Sequence, residues 1–490
     1  MHSLSAVGFL CALSALSPGY ADEAAAREKV KEAFAAGGKE PQESYEAARQ
    51  AVTDSSFGAL ETGTQHAALV LAYTAAYKAK DFDRAHEFAS RASSLPEQDA
   101  HDWSYRLYSA ERQTDGRDEA FCISSLVRLW GPRAEGLTPD SIRRAFRDTA
   151  LSQLADARRE MLLALYDAGW RPTDESSASR LWMSLSLILL EGNEVAKAMQ
   201  AVALVDEPID LIAMHADSRY KRLLKAPYFE SDPHTAARLK IKMLRIRVVQ
   251  QPRSLRALVS LTQNLLTSRE DQEALDIAAQ ADRRIVDAPT APPFDEVKRY
   301  HPWILNAKAS ALRHLGRFGE AETELRRALG LAVQNDAVNH QINLAALLCE
   351  LNRPDEALHL LPTMDQASDY GKTQIAMVEL IAASEQADAP ALQQHMDYLR
   401  DHQQISPDTY ERALLVAGEF DKAQELLISR LADPATRTDA LVRVQIYAEK
   451  KLPPNAQTWQ LAHERLRTAP NVLKAVSLVG SVSRYAWRYD

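Results

Sequence analysis

The stretch PWILNAKASALRHLGRFGEAETELRRALGLA, residues 302–332, decides the architecture. It reads as a helix A from Leu305 to His314, a turn at Gly316-Arg317-Phe318, and a helix B from Glu320 to Leu331. Ala321, Leu325 and Ala328 fall at i, i+4 and i+7, on one face of helix B. An alanine at such a contact lets two helix axes approach closely, where a larger side chain would force them apart. The stretch INLAALLCELNRPDEALHLLPTM, residues 342–364, repeats the plan. Asn352 stands for the turn glycine, and Ala357 and Leu361 take the helix-B positions. From Ala321 to Ala357 the step is 36 residues.

The same anchor runs outward in both directions. It appears as Ala85, with Ala89 and Ala92, then as Ala120 after a step of 35. It returns at Ala198 and at Ala274, with Ala278 and Ala281. After Ala357 come Ala391 and Ala423, at steps of 34 and 32. The two long gaps, Ala120 to Ala198 and Ala198 to Ala274, each fit two steps, with weaker units near Ala157 and Ala236. From Gln65 to Pro434 this pattern resembles the tetratricopeptide (TPR) family, whose unit is about 34 residues with small residues where helices A and B touch. Leu69, Leu258 and Leu305 stand where the family's helix A often carries a tryptophan, and Pro96, Pro208 and Pro252 lie near its closing proline. The resemblance implies an all-α fold: tandem helix-turn-helix repeats forming a right-handed TPR-like α-solenoid with a concave groove. It further suggests a divergent bacterial exported TPR protein.

Composition agrees with helices. Hydrophobic residues are 46% and charged residues 26% of 490, the balance of a folded chain. Glycine is scarce, 17 in all, while alanine and leucine lose little on entering a helix. A net charge of −9 argues against a general nucleic-acid binder. At the start, Val7 to Leu16 is an apolar run too short to span a bilayer. Pro18-Gly19 ends it, Gly19-Tyr20-Ala21 supplies small residues, and Asp22-Glu23 follows, so residues 1–21 read as a signal peptide cut after Ala21. The expected location is the periplasm, or the cytoplasm if the run is only an apolar N-terminus. No later segment is long and apolar enough to cross a membrane. Cys122 and Cys349, left after loss of Cys11, fall on apolar helix faces as buried thiols.

Two stretches interrupt the repeat. Gly131 to Ser141 reads as a loop whose Thr138-Pro139-Asp140 starts a helix. Ile285 to Pro302 carries Pro289, Pro292, Pro293 and Pro302 and lengthens the Ala274-to-Ala321 step to 47. The expected organisation is therefore a helical cap at 22–64, a repeat lobe at 65–287, a proline-rich loop at 288–302, a second lobe at 303–434, and a helical cap with a tail at 435–490. In the tail, Tyr485, Trp487 and Tyr489 alternate, as in an extended segment packed back on the solenoid or, alternatively, a partner-binding strand. Arg219 to Arg256 holds eleven Lys and Arg against Glu230 and Asp232. Leu239, Ile241 and Met243 alternate there with Arg238, Lys240 and Lys242, a strand-like pattern among helical neighbours.

Motifs for chemistry are not found. There is no HExxH, GxxxxGK, GxGxxG or GxSxG, and the histidines are scattered, so no catalytic residue, cofactor or metal is expected. Acidic pairs such as Glu270-Asp271 and Asp355-Glu356 sit where helix B starts and favour its positive end. The expected function is a non-catalytic scaffold or adaptor holding a protein or peptide partner in the cell envelope. Asn264, Asn306, Lys308, Asn339 and Asn343, polar residues on helix A, are the candidate groove contacts. An alternative is an anionic polysaccharide or other polyanion held by Arg238, Lys240, Lys242 and Arg245. A third is an enzyme with a pocket of carboxylates of displaced pKa.

Overall fold

The computed structural model describes residues 18–37, 40–173, 176–226, 229–288, 290–449 and 451–487. Pro289, Tyr489 and most of the expected signal peptide lie outside the described residues. Pro18 to Ala21 belong to the first helix. The chain divides into two compact units, Met1–Leu185 and Ser186–Asp490.

Helices follow one another throughout. The first unit holds α1 (Pro18–Ala36), α2 (Pro41–Thr53), α3 (Thr62–Lys78), α4 (Phe82–Ala92), α5 (Ala100–Gln113), α6 (Gly116–Trp130), α7 (Pro139–Leu151) and α8 (Ala155–Asp167). The division falls within α9 (Ser179–Glu191). The second unit continues with α10 (Val195–Val202), α11 (Pro208–Ala216), α12 (Pro233–Gln250), α13 (Leu255–Thr267), α14 (Asp271–Val286), α15 (Val297–His314) and α16 (Phe318–Leu331). Then come α17 (Gln334–Glu350), α18 (Pro354–Leu360), α19 (Asp369–Glu385), α20 (Ala389–Asp401), α21 (Pro407–Val416) and α22 (Phe420–Ala432). It ends with α23 (Arg437–Arg443), α24 (Pro454–Arg467) and α25 (Pro470–Val479). Among the described residues, extended pairing is limited to isolated bridges. Each unit is all-α, built of tandem helix-turn-helix repeats.

The A/B turn is the repeating signature. A residue with positive φ closes helix A at Lys80, Thr114, Gln153, Asn193, Arg269, Gly316, Asn352, Ala387 and Gly418. The next N–H then donates five residues back: Asp81 to Ala76, Asp115 to Ala110, Arg317 to Leu312, Arg353 to Leu348 and Asp388 to Ala383. This left-handed closure satisfies carbonyls that the helix end would leave bare. Helix starts are capped by side chains. Asp81, Asp99, Asp115, Thr138, Ser254, Ser368 and Asp388 each accept a backbone N–H of the first turn.

Where helices A and B meet, the anchor alanines are buried: Ala85, Ala120, Ala198, Ala274, Ala321, Ala357 and Ala423. Ala157 and Ala236, in the weaker units, are buried too, whereas Ala391 is half-buried. Leu325 and Leu348 pack with Ala274, Ala321 and Ala357 in a core shared by α12 to α19. The proline-rich loop is shorter than expected, because α15 opens at Val297 and takes Pro302 into its body. As the sixth residue of α15, Pro302 lies past the first turn and leaves the Lys298 carbonyl without its helical N–H donor. Cys122 and Cys349 are buried free thiols.

The second unit closes on itself. Its α11 packs against α23, and α24 lies across α17 and α21. The segment 480–487 runs extended: the Ser481 N–H donates to the Ala216 carbonyl at 2.9 Å. Ile446 donates to Ser483, Tyr485 to Ile446, and Ala448 to Trp487. Tyr485 and Trp487 are buried with Ile212 and Ala237. The tail therefore packs back on the helices as an extended segment. Gly480 is required by space, since a Cβ there would stand 2.0 Å from the Ala216 carbonyl oxygen. Asp217, buried, accepts from the Arg219 guanidinium at 2.7 Å and from the Thr438 hydroxyl at 2.9 Å, tying the end of α11 to α23.

Candidate functional site

In the second unit, α11, α12 and α13 meet the returning tail around a cleft of about 180 Å³. Its apolar wall is Pro208, Ile209, Ala237, Tyr447 and Trp487, and its polar side is Glu207, Asn264, Thr267 and Ser268. Local sequence explains the placement. Pro208 opens α11, so Ile209 sits on its first turn and stays 38% exposed. Asn264 lies one turn before the end of α13, where its amide donates to the Ser260 carbonyl at 2.8 Å. Tyr447 donates its hydroxyl to the Val442 carbonyl at 2.9 Å, so its ring is held beside the cleft. Trp487 stacks near Tyr485, their ring centroids 6.3 Å apart. Lys240 is ion-paired with Glu207 at the rim. An aromatic wall facing amide and hydroxyl groups suits a short peptide stretch: it buries one apolar side chain and meets polar backbone.

The other expected groove residues separate. Asn343 donates its amide to the Asn306 oxygen at 3.0 Å, so these two join neighbouring A helices, α15 and α17. Asn339 is exposed on α17. Lys308 is drawn into a buried network instead: it meets Asp282 at 3.3 Å and Glu324 at 2.8 Å. Asp282 also accepts from His301 at 2.9 Å and from both terminal nitrogens of Arg327 at 2.9 Å. Although burial opposes ionisation, these donors hold the Asp282 carboxyl well below the ordinary range. Lys308 therefore ties α14, α15 and α16 together, a role its lysine chemistry did not reveal.

Within the basic stretch Pro233–Gln250 form a helix, α12, after two short 3-10 turns at Ser218–Tyr220 and Leu223–Lys225, and the charges spread. Arg219 is taken up by Asp217. Arg245 meets Glu273 at 2.8 Å, and Arg253 meets Asp295 at 2.9 Å. Arg238, Lys242 and Arg245 are exposed on α12. Between them the outward side of α12 carries Leu239, Met243, Ile246 and Val249, which the charge count hid.

In the first unit a second, acidic cleft of about 360 Å³ lies between α6 and α8, bordered by Arg117, Phe121, Asp156 and Glu160. The Arg117 guanidinium and Asp156 pair at 2.8 Å across it. The carboxyl most displaced upward in this unit is Glu119, pushed to about 8 by burial, with Asp148 and Glu111 adding repulsion. It lines neither cleft. Among the described residues no group of His, Cys, Asp and Glu is arranged to hold a metal ion. Among the described residues no helix is long and apolar enough to cross a membrane.

The architecture places the chain in the class of helical-repeat proteins. No family model and no curated protein matches its sequence. Among solved structures it is similar to one described as the APC/C hetero-tetramer Cut9-Hcn1, at 12% identity over 94% of this chain and 96% of that one, with a TM-score of 0.29. A likeness at that level assigns no partner and no site.

Proposed function

We propose that the chain is a non-catalytic, TPR-type scaffold that holds an extended peptide of a protein partner in the cleft between α11, α12 and α13. One observation carries this reading. Beside the cleft the loop after α23 and the end of α11 already hold an extended segment, 480–487, through main-chain hydrogen bonds, with Tyr485 and Trp487 buried. Main-chain pairing gives affinity with little sequence demand, and aromatic pockets select side chains. The open wall of Asn264, Thr267, Ser268 and Ile209 offers a second segment side-chain amide and hydroxyl groups beside an aliphatic contact.

The apolar run at residues 7–16, followed by Gly19-Tyr20-Ala21, supports export of a bacterial chain to the cell envelope. The test is quantitative co-purification from the chain's own host, comparing wild type with Ile209→Asp. One protein captured in near-equal amount by wild type, and reduced about tenfold or more by the variant, is the expected result. Equal capture by both removes the cleft from the function. N-terminal sequencing of the recovered chain reads its export, with Asp22 expected first.

A further inference from the structure

Helix α12 is apolar on two sides, one buried and one exposed. An ordinary surface helix buries its large apolar residues and shows charge to water. Here the inner side is made of Ala236, Ala237, Ile241 and Leu244. The outer side carries Leu239 at 49% exposure, Met243 at 63%, Ile246 at 40% and Val249 at 79%. Their spacings of four, three and three residues place them in one stripe along the helix. Such a run of large aliphatic side chains costs solubility unless something covers it.

Charge says what covers it. From Pro233 to Gln250 the helix contains no Asp or Glu, but holds Arg238, Lys240, Lys242, Arg245 and Arg247. Arg238 and Arg245 flank the stripe on one side, and Lys242 lies within it. A second copy of this helix would set cation against cation, which disfavours self-association through this side. A bilayer surface is favoured by aromatic residues at the water boundary, and the stripe has none. A helix with an apolar stripe bordered by Glu or Asp meets both demands: ridges of one stripe fill the grooves of the other, and the exposed Arg238 and Lys242 find carboxylates, while Arg245 keeps Glu273. We infer that the outer side of α12 is a docking surface for an acidic amphipathic helix of a partner protein, separate from the α11–α13 cleft.

The test is fluorescence anisotropy with the full chain. The probes are a labelled helical peptide with a Leu/Ile stripe flanked by Glu and its twin flanked by Lys. The Glu-flanked peptide should bind, more weakly at higher salt. Met243→Ser combined with Ile246→Ser should weaken binding about tenfold or more. Lys242→Glu should shift preference toward the Lys-flanked twin. All three sites are exposed, and unchanged circular dichroism certifies the fold. Ile209→Asp should leave this binding untouched, which separates the two surfaces. Three results would overturn the inference: unaltered affinity in the serine variant, equal binding of both peptides, or co-sedimentation with phosphatidylglycerol vesicles without peptide binding.

Discussion

At the residue scale, Glu119 is the clearest anomaly. It is 0% exposed, and neither carboxyl oxygen has a hydrogen-bond partner. Buried carboxylates without partners favour the protonated form. With its pKa pushed from 4.5 to about 8, the folded chain keeps a proton that the unfolded chain releases between those values. Folding stability contributed by this group is thus full below its unfolded value and is lost as pH rises through the folded one. The charged groups facing it are Asp148 and Glu111, which raise its pKa, and Arg144 and Arg147, which lower it. Glu119→Gln keeps the neutral form at every pH. We expect it to stabilise by no more than about 1 kcal/mol at about pH 5 and by about 4 kcal/mol at about pH 8. Thermal melts of both proteins at the two pH values check this; an offset independent of pH would refute it.

At the element scale, the recurring A/B turn shows what a repeat preserves and what it lets vary. The backbone demands a left-handed residue, and Gly316 and Gly418 supply it without strain. Ala387 fills the same slot at φ 56°, where a Cβ crowds the backbone and costs about 1–2 kcal/mol. Ala387→Gly should therefore raise stability by about 1 kcal/mol, less what glycine's extra unfolded freedom takes back. Chemical denaturation with an unchanged slope and a higher midpoint is the expected signature. Gly316 and Asn352 were readable as turns because these residue types tolerate left-handed geometry. Lys80, Thr114, Gln153 and Arg269 were not, because those side chains usually signal helix or surface. Tertiary stacking fixes these turns, and the local residue only tolerates them.

At the scale of the whole molecule, the second unit depends on contacts between residues far apart in the chain. Asp217 and Arg219 reach Thr438, and Ser481 reaches Ala216. Asp217→Ala leaves the half-buried Arg219 guanidinium without its carboxylate and the Thr438 hydroxyl without its buried acceptor, a loss of about 2 kcal/mol. Hydrogen exchange should then quicken in α11, α23 and the 480–487 segment, while α3 to α6 keep their protection. Uniform quickening along the chain would contradict this. Much was legible in the sequence. Alanine spacing determined the helix pairs, because only small side chains allow that close crossing. Thr138-Pro139 determined a helix start, and Tyr485 and Trp487 marked a tail that packs back. Asn264 was placed at a cleft, yet its companions Ile209, Tyr447 and Trp487 come from three separate elements that no spacing connects. Lys308, read from the sequence as a candidate groove contact, lies among Asp282 and Glu324, because a lysine's chemistry does not say which carboxylates surround it. The outward stripe of α12 escaped for a related reason: its apolar residues are spaced as a core face would be. Which side of a helix meets water is decided only when neighbouring helices claim the other side.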